Sequence, residues 1–281
     1  MAPHTSGSCP SADVTLAYRL FGTPRATPVL FLHGMAFFSC DWVGFGSRLC
    51  SDRQGCAMDM RGFGDSGHSA GADYTVPTMA EDIRRLLDHL RWDQAILVAH
   101  SMGARSAVCF AARHPERVER LVLLDWSPES APEGARRVAQ AVAAIPDVFL
   151  TLDHALRHFG IDPASPQAEQ KRARIAQLTR PVEGGITLKR DPYFREQYRR
   201  QLESGEAPRL GVDLWQALHE VASPVLAIRA TRSDLFAAAT VPKMLACNPR
   251  ISVQEIEGGH DVAGDNPDAV LAAIKAFIGN A

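Results

Sequence analysis

Short apolar runs alternate with helical patterns along most of this chain, and this alternation constrains the fold more than any other feature. Continuous apolar runs of four to eight residues are typical of parallel strands that are covered on both faces. Six segments have this character, and each is rich in Val, Ile or Leu or ends in glycine or a polar residue: 29–34, 55–60, 95–100, 120–125, 224–230 and 251–258. An earlier segment, 14–22, alternates apolar with polar residues and predicts an edge strand or a hairpin arm.

Helical patterns fill the spaces between these runs. Apolar residues recur at three- and four-residue spacing in 75–92, where Thr78 and Glu81 match a capping box. Further helices are predicted at 101–115, which ends at a proline, and at 266–279, which begins near one. Strands that alternate with helices predict an α/β fold with a mostly parallel, doubly wound sheet.

One long segment, 127–216, interrupts the alternation. It is rich in Arg, Ala, Gln and Pro, it has the pattern of several helices, and it contains no convincing buried strand. We interpret it as a helical cap inserted over one end of the sheet. The predicted organisation is therefore a first core part at 1–126, the cap at 127–216 and a second core part at 217–281.

Composition excludes several classes of function. The chain has 281 residues, with 30 basic and 32 acidic side chains, so its charge does not favour nucleic acid or anionic membranes as partners. No apolar stretch reaches the roughly 18 residues of a membrane span, and residues 1–13 lack the pattern of a secretory signal. The six cysteines are scattered, which predicts reduced thiols in a cytoplasmic protein and no zinc site.

The segment VAHSMG, 98–103, is the strongest candidate for chemistry. A strand that turns sharply into a helix at a serine is the setting of a nucleophile elbow. Such a turn requires small residues two positions before and after the serine, and Ala99 and Gly103 flank Ser101 in this way. The same turn directs the N–H of Met102 into the space above the hydroxyl. On its own, a serine at a helix start is more often only a cap.

A nucleophilic serine needs a histidine to accept its proton and a carboxylate to orient that histidine. His260 follows the last apolar run in the sequence EGGH and is expected at the same edge of the sheet as Ser101. Two carboxylates compete for the acid, because Asp125 ends the run 120–125 and Asp234 follows the run 224–230. The pattern of residues alone leaves both open.

Four motifs together resemble the α/β-hydrolase superfamily, from about residue 14 to the C-terminus: HGM at 33–35, DMRGFGDS at 59–66, AHSMG at 99–103 and GGH at 258–260. The resemblance implies that Met35 and Met102 supply the oxyanion-hole N–H groups and that Gly34 shapes the first of these loops. It also favours Asp234 over Asp125, since most relatives take the acid after the later strand, although some use the earlier one. It implies no metal and no organic cofactor.

Two further residues are candidates for contact with substrate. Arg105 lies one helical turn after Ser101, where it is either paired with a neighbouring acid, the simpler interpretation, or a binding group for a substrate carboxylate. The run HSMGAR resembles hydrolases of acyclic N-formyl or N-acetyl amides. Trp126 is expected either in the pocket or in the core.

The sequence therefore predicts a serine hydrolase of a small-molecule acyl substrate, most simply a carboxylic ester or lactone. Hydrolysis of a small N-acyl or N-formyl amide is the second reading, and carbon–carbon bond hydrolysis is the third, against which Asp261 counts. A ligand-binding protein without turnover on the same scaffold is the alternative from a different class. A homodimer is left open.

Overall fold

A computed structural model describes residues 3–279 of the chain. The strands are β1 (Thr5–Ser11), β2 (Val14–Gly22), β3 (Val29–Leu32), β4 (Gln54–Met58), β5 (Ala95–His100), β6 (Val118–Leu124), β7 (Thr179–Val182), β8 (Gly185–Leu188), β9 (Val225–Ala230) and β10 (Ile251–Ile256). The helices are α1 (Ser39–Leu49), α2 (Val76–Leu90), α3 (Met102–Arg113), α4 (Pro132–Ala143), α5 (Leu152–His158), α6 (Ala168–Leu178), α7 (Pro192–Ser204), α8 (Leu214–Glu220), α9 (Val241–Cys247), α10 (Val262–Asp265) and α11 (Pro267–Ile278).

Eight strands form one sheet in the order β1-β2-β4-β3-β5-β6-β9-β10. Pairing is antiparallel between β1 and β2 and between β2 and β4, and it is parallel in the rest of the sheet. The predicted mostly parallel α/β sheet is confirmed. The parallel part brings the carboxyl ends of β3, β5, β6, β9 and β10 to one edge of the sheet.

Helices cover both faces of this sheet, which explains why the central strands are continuous apolar runs. Along β5, Leu97 and Ala99 pack on the face that carries α2, α3 and α8. Ile96 and Val98 point to the opposite face, where they pack with side chains of α1 and α11. Every residue of β5 is buried, so a polar substitution on either face would leave a polar group without solvent.

The first strand contains no apolar run that would predict it from the sequence. β1 has the sequence TSGSCPS and pairs with β2 along its whole length at the edge of the sheet. An edge strand can be largely exposed, and it tolerates a proline such as Pro10 because one side of its backbone needs no partner. Helix α2 begins one turn earlier than the predicted capping box, since the hydroxyl of Thr75, not Thr78, accepts from a backbone N–H.

The segment 127–216 contains α4, α5, α6 and α7, as its helical patterns predict, and it also contains a hairpin. The helical patterns do not predict this hairpin, in which β7 and β8 pair across a turn at Gly184, which has a φ of +80°. Their side chains are mostly half-exposed, so no buried run marks them in the sequence. A small core centred on Phe149, Leu156 and Ile175 holds the hairpin and helices together.

Ion pairs connect this helical segment to the sheet and its loops. Arg174 of α6 contacts Asp41 at 2.6 Å, and Lys189 contacts Asp65 at 2.7 Å. The division into core parts 1–126 and 217–281 around a cap at 127–216 stays a prediction, and the first and last two residues of the chain lie outside the described part.

Candidate active site

The turn between β5 and α3 holds Ser101 in a strained backbone conformation. Its φ is 51° and its ψ is −114°, a combination that L-residues rarely adopt. Small neighbours make the turn sterically feasible: Ala99 is fully buried, and a Cβ at Gly103 would lie 2.7 Å from the backbone oxygen of His33. The packing of the sheet against α3 thus imposes the strain and presents the hydroxyl at the sheet edge.

Three side chains from distant parts of the chain meet at this edge. The Oγ of Ser101 lies 2.9 Å from Nε2 of His260, and Nδ1 of His260 lies 2.6 Å from Oδ2 of Asp125. This is the arrangement in which a histidine can accept the proton of a serine while a carboxylate fixes the ring. The structure therefore brings Ser101 and His260 together as the sequence predicts.

The carboxylate of Asp125 is held rigidly beneath His260. Its side chain is fully buried, Oδ1 accepts from the backbone N–H of Ala230 at 3.0 Å, and Oδ2 accepts from the hydroxyl of Ser233 at 2.5 Å. Asp125 has a φ of +44°, a left-handed conformation that aspartate tolerates better than most residues. These bonds fix the position of the carboxylate and place its second oxygen against the imidazole.

The preference for Asp234 as the partner of His260 is corrected by this geometry. Asp234 forms a two-pronged ion pair with Arg137 of α4, at 2.5 and 2.7 Å, and its side chain is largely exposed. The Arg137 guanidinium lowers the pKa of the Asp234 carboxyl. Both aspartates follow neighbouring strands, but only Asp125 turns inward to the histidine.

Two backbone N–H groups are available near the serine. The carbonyl oxygen of Gly34 accepts from the N–H of Phe37 at 3.1 Å and from Nδ1 of His33 at 2.8 Å. Because the peptide is planar and trans, the N–H of Met35 must point the opposite way. Met35 and Met102 both line the cavity that contains Ser101, and Met102 begins α3, where the first N–H groups lack intrahelical partners.

Close approach of backbone and side chains explains the glycine at position 34. A Cβ there would lie 2.7 Å from Nδ1 of His100 and 3.1 Å from Cβ of Ser101. Any larger residue would push the loop away from the serine, so Gly34 keeps the Met35 N–H near the reacting group.

His33 and His100 are buried and neutral, which fits structural roles. Burial lowers the pKa of both imidazoles, that of His100 to about 3. Nε2 of His33 accepts from the N–H of Met60 at 3.0 Å, so its proton resides on Nδ1. Nε2 of His100 donates to the carbonyl of His260 at 2.8 Å and supports the loop that carries the candidate base.

The serine opens into a cavity of about 390 Å³ between the sheet edge and the helical segment. This volume suits a small molecule. Trp126 lines the cavity together with side chains of α4 and α7, including Val138 and Tyr198. Trp126 is also almost fully buried, so its side chain contributes both to the core and to the wall of the cavity.

Arg105 lies in the wall of the same cavity, and the simpler interpretation of this residue does not hold. Within residues 3–279, no acidic side chain forms an ion pair with its guanidinium. A half-buried arginine that faces a cavity without an acidic partner can pair with an anionic group of a ligand. This leaves the carboxylate-binding role open for Arg105.

Sequence reasoning missed several residues of this site. Ser233 donates a hydrogen bond to Asp125, and Arg137 forms an ion pair with Asp234. Of these two residues, only Ser233 lies in a segment with a sequence signal, the strand end RATRSD at 229–234. The side chains of Tyr198 and Gln201 come from α7, and no sequence signal shows which face of that helix points inward.

In the part of the chain that the structure describes, no group of three or more His, Cys, Asp or Glu side chains is placed to hold a metal ion. None of the described helices is long and apolar enough to cross a membrane.

Comparison with known proteins gives one consistent result. The 2-(acetamidomethylene)succinate hydrolase of Mesorhizobium japonicum is 30% identical over 251 residues, which cover 89% of this chain and 87% of that protein. The esterase YbfF of Escherichia coli is 26% identical over 254 residues, covering 90% and 93%. The crystal structure of an E-2-(acetamidomethylene)succinate hydrolase superposes with a TM-score of 0.84 at 28% identity, covering 98% of this chain and 99% of that one.

A family model described as the alpha/beta hydrolase fold matches residues 27–267, which is most of the chain. Together with the sheet order and with relatives that are hydrolases, this match agrees with the resemblance carried by the four motifs. The chain therefore belongs to the α/β-hydrolase fold family and is a hydrolase.

Proposed function

We propose that the protein is a serine hydrolase that cleaves a small-molecule carboxylic ester or lactone through an acyl-enzyme. The observation that carries this proposal is the continuous contact from Ser101 through His260 to Asp125 beside a cavity of small-molecule size. The buried, neutral His100 and His33 leave His260 as the base in contact with the serine.

The proposed reaction has two halves. His260 Nε2 accepts the proton of the Ser101 hydroxyl while Oγ attacks the substrate carbonyl, and the N–H groups of Met35 and Met102 stabilise the oxyanion. One such donor typically contributes about 3 kcal/mol of transition-state stabilisation. The protonated His260 then gives its proton to the leaving oxygen, and water activated by the same histidine releases the acid from Ser101.

A second candidate, hydrolysis of a small N-acyl acid at its amide bond, is favoured by Arg105. This guanidinium faces the cavity and has no acidic partner within the described residues, so it suits a substrate that carries a carboxylate. The name of the Mesorhizobium relative describes an acetamido derivative of succinate, which is such a substrate. The two candidates share the acyl-enzyme and differ in the leaving group.

A matched set of substrates tests both candidates. Monomethyl glutarate and methyl valerate are esters with and without a carboxylate, and N-acetyl-β-alanine and N-propylacetamide are the corresponding amides. We expect ester hydrolysis by the native protein and its loss in Ser101→Ala. Faster turnover of N-acetyl-β-alanine than of either ester would move the proposal to the amide, and folded protein without turnover of any member would favour the binding role.

Arg105→Gln tests the carboxylate contact within the same set. We expect KM for the carboxylate-bearing substrates to rise by about tenfold or more, because a charged hydrogen-bonded pair is lost, while KM for their neutral analogues stays the same. Arg113→Gln, an exposed position at the end of the same helix, is the matched control. Equal effects on charged and neutral substrates would contradict a carboxylate-binding role.

Location and assembly remain predictions of the sequence. All six cysteines are free thiols in the structure, in keeping with the proposed reducing, cytoplasmic location. A homodimer stays open, and sedimentation of the purified chain measures it.

A further inference from the structure

Arg190, two residues after the end of β8, is a buried cation that has no acidic partner in the described part of the chain. Its side chain is only 8% exposed, and within residues 3–279 its one hydrogen bond runs from Nη1 to the carbonyl oxygen of Met35 at 3.3 Å. Burial lowers the pKa of this guanidinium to about 10. Burial of an unpaired charge costs free energy of folding, so a buried arginine without a carboxylate partner is unusual.

Neighbouring arginines do not share this situation. Arg174 forms a two-pronged ion pair with Asp41, and Arg195 forms an ion pair with Asp147. Each of these cations is therefore neutralised by a carboxylate of the protein itself. Arg190 lacks such a group, although it lies between the same helical segment and the same edge of the sheet.

The unpaired guanidinium lines a second cavity, of about 240 Å³, that is distinct from the space above Ser101. Five aliphatic side chains of the helical segment contribute to its wall: Ile145, Ile161, Ile175, Leu178 and Leu188. At its edge lie two exposed side chains, Phe159, which is 42% exposed, and Lys171. Arg174, which is paired with Asp41, also lines the cavity. The cavity thus joins apolar side chains to one buried guanidinium, that of Arg190, which has no carboxylate partner within residues 3–279.

We propose that this second cavity binds a monocarboxylic acid with a short aliphatic chain, its carboxylate paired with Arg190. A guanidinium presents two parallel N–H donors that match a carboxylate, and the aliphatic wall provides contact for the hydrocarbon chain. One buried charge balances one carboxylate. The cavity is smaller than the pockets that hold drug-sized ligands, which suits an acid with a short chain such as hexanoate.

The acid can reach this cavity from two sources. Met35 and Ala36 line both this cavity and the one that contains Ser101, so the two spaces meet at the loop that follows β3. The carboxylate is therefore either that of a separate free acid or the remote end of a longer substrate bound at Ser101. The chemistry at Arg190 is the same in both cases.

Calorimetric titration of the Ser101→Ala protein with hexanoate tests the proposal without requiring turnover. We expect saturable binding that Arg190→Met weakens by about tenfold or more, because the charged pair is lost while much of the side-chain volume remains. Arg113→Gln, at an exposed position outside both cavities, should leave the affinity unchanged, and 1-hexanol should bind the Arg190→Met protein and its parent equally. Unchanged hexanoate affinity in folded Arg190→Met would overturn the proposal.

A second variant keeps the test valid if Arg190→Met does not fold. Ile161 is partly exposed in the cavity wall, so Ile161→Trp fills the chamber while Arg190 stays in place. We expect hexanoate binding to be lost, and normal binding by this variant would count against the site.

Kinetics with methyl valerate distinguish the two sources of the acid and rest on the proposed function. If the acid is a separate molecule, it binds beside this short ester, and KM for methyl valerate should be the same with and without the acid. If the carboxylate is instead the remote end of a longer substrate, Arg190→Met should raise KM for the ester-acid monomethyl suberate but not for its neutral analogue methyl octanoate. Failure of ester hydrolysis would remove only this comparison, because the titration measures binding in a protein that lacks the serine.

Discussion

At the scale of single residues, the choice between two aspartates decides how the candidate site works. Asp125 is buried and receives bonds from Ala230 and Ser233, so its charge is fixed where His260 needs it. Asp234 instead forms an exposed ion pair with Arg137. An exposed pair of this kind contributes little to stability, whereas a buried carboxylate against the base determines its orientation and tautomer.

Two conservative substitutions, one at each aspartate, should have unequal effects on turnover. Asp125→Asn should lower kcat for ester hydrolysis by about 10⁴-fold, because an amide cannot hold the imidazole in the tautomer that accepts the serine proton. Asp234→Asn, the matched control, should change kcat by less than about threefold, since it removes only an exposed ion pair. Steady-state kinetics on methyl valerate give both values, and the reverse order would show that Asp234 is the functional acid.

His100 makes a prediction about stability and pH. Burial, with a smaller contribution from the neighbouring His260, lowers its pKa to about 3, whereas the unfolded chain binds the proton near pH 6.5. Below about pH 6.5 the unfolded state therefore binds more protons, so stability falls as the pH falls. For this one group the loss is about 2 kcal/mol between pH 7 and pH 5.

Urea unfolding at the two pH values measures this effect. The free energy of unfolding of His100→Gln should decline by about 2 kcal/mol less than that of the native protein over the same interval. His219→Gln, at an exposed histidine, is the control and should decline as the native protein does. Identical declines for all three proteins would contradict the assignment of a buried neutral His100.

At the scale of elements, two helical glycines in different surroundings test how the elbow is built. A Cβ at Gly103 of α3 would press on the backbone of His33 and Leu32 at 2.7 and 2.9 Å, and neither backbone can yield easily. A Cβ at Gly44 of α1 would meet nothing within 4 Å. The same change of residue should therefore have opposite effects at the two positions.

We expect Gly103→Ala to cost about 1–3 kcal/mol of stability through overpacking and to lower ester turnover, since α3 must move away from β3. Gly44→Ala should raise stability by up to about 1 kcal/mol, because alanine loses less backbone entropy in a helix. Thermal and urea unfolding of the two variants check the sign. Stabilisation by Gly103→Ala would contradict the tight packing described here.

Most elements of the sheet could be predicted because their sequence pattern follows directly from burial. The strand β5 is apolar at every position since helices cover both of its faces, and the helix α2 repeats its apolar residues with helical spacing. Two elements could not be predicted in this way, the edge strand β1 and the β7–β8 hairpin. Their strands are partly exposed, so their sequences contain no continuous apolar run.

At the scale of the whole molecule, the sheet topology gathers the candidate site from distant parts of the chain. Gly34, Ser101, Asp125 and His260 follow β3, β5, β6 and β10, whose carboxyl ends share one edge. That convergence could be predicted from the alternation of strands and helices. It could not be predicted which aspartate faces His260, because the ion-pair partner of Asp234 is Arg137, which lies 97 residues earlier in the chain.

The helical segment between β6 and β9 was the least predictable part of the molecule. Its patterns indicate helices, but they do not show how these helices pack on the sheet. That packing creates two cavities which share only the loop residues Met35 and Ala36, and it leaves Arg190 buried in one and Arg105 at the wall of the other. Each of these guanidinium groups lacks an acidic partner within residues 3–279, and on this basis we propose both cavities as sites for anionic groups.

The central claim is that Ser101 is an activated nucleophile, and intact-mass measurement after exposure to a small fluorophosphonate tests it most directly. We expect the folded native protein to gain one phosphonyl group, mapped by peptide analysis to Ser101, and to gain none after unfolding or in Ser101→Ala. Asp125→Asn should react much more slowly than Asp234→Asn. A folded native protein that gains no adduct, or an adduct that persists in Ser101→Ala, would contradict the account.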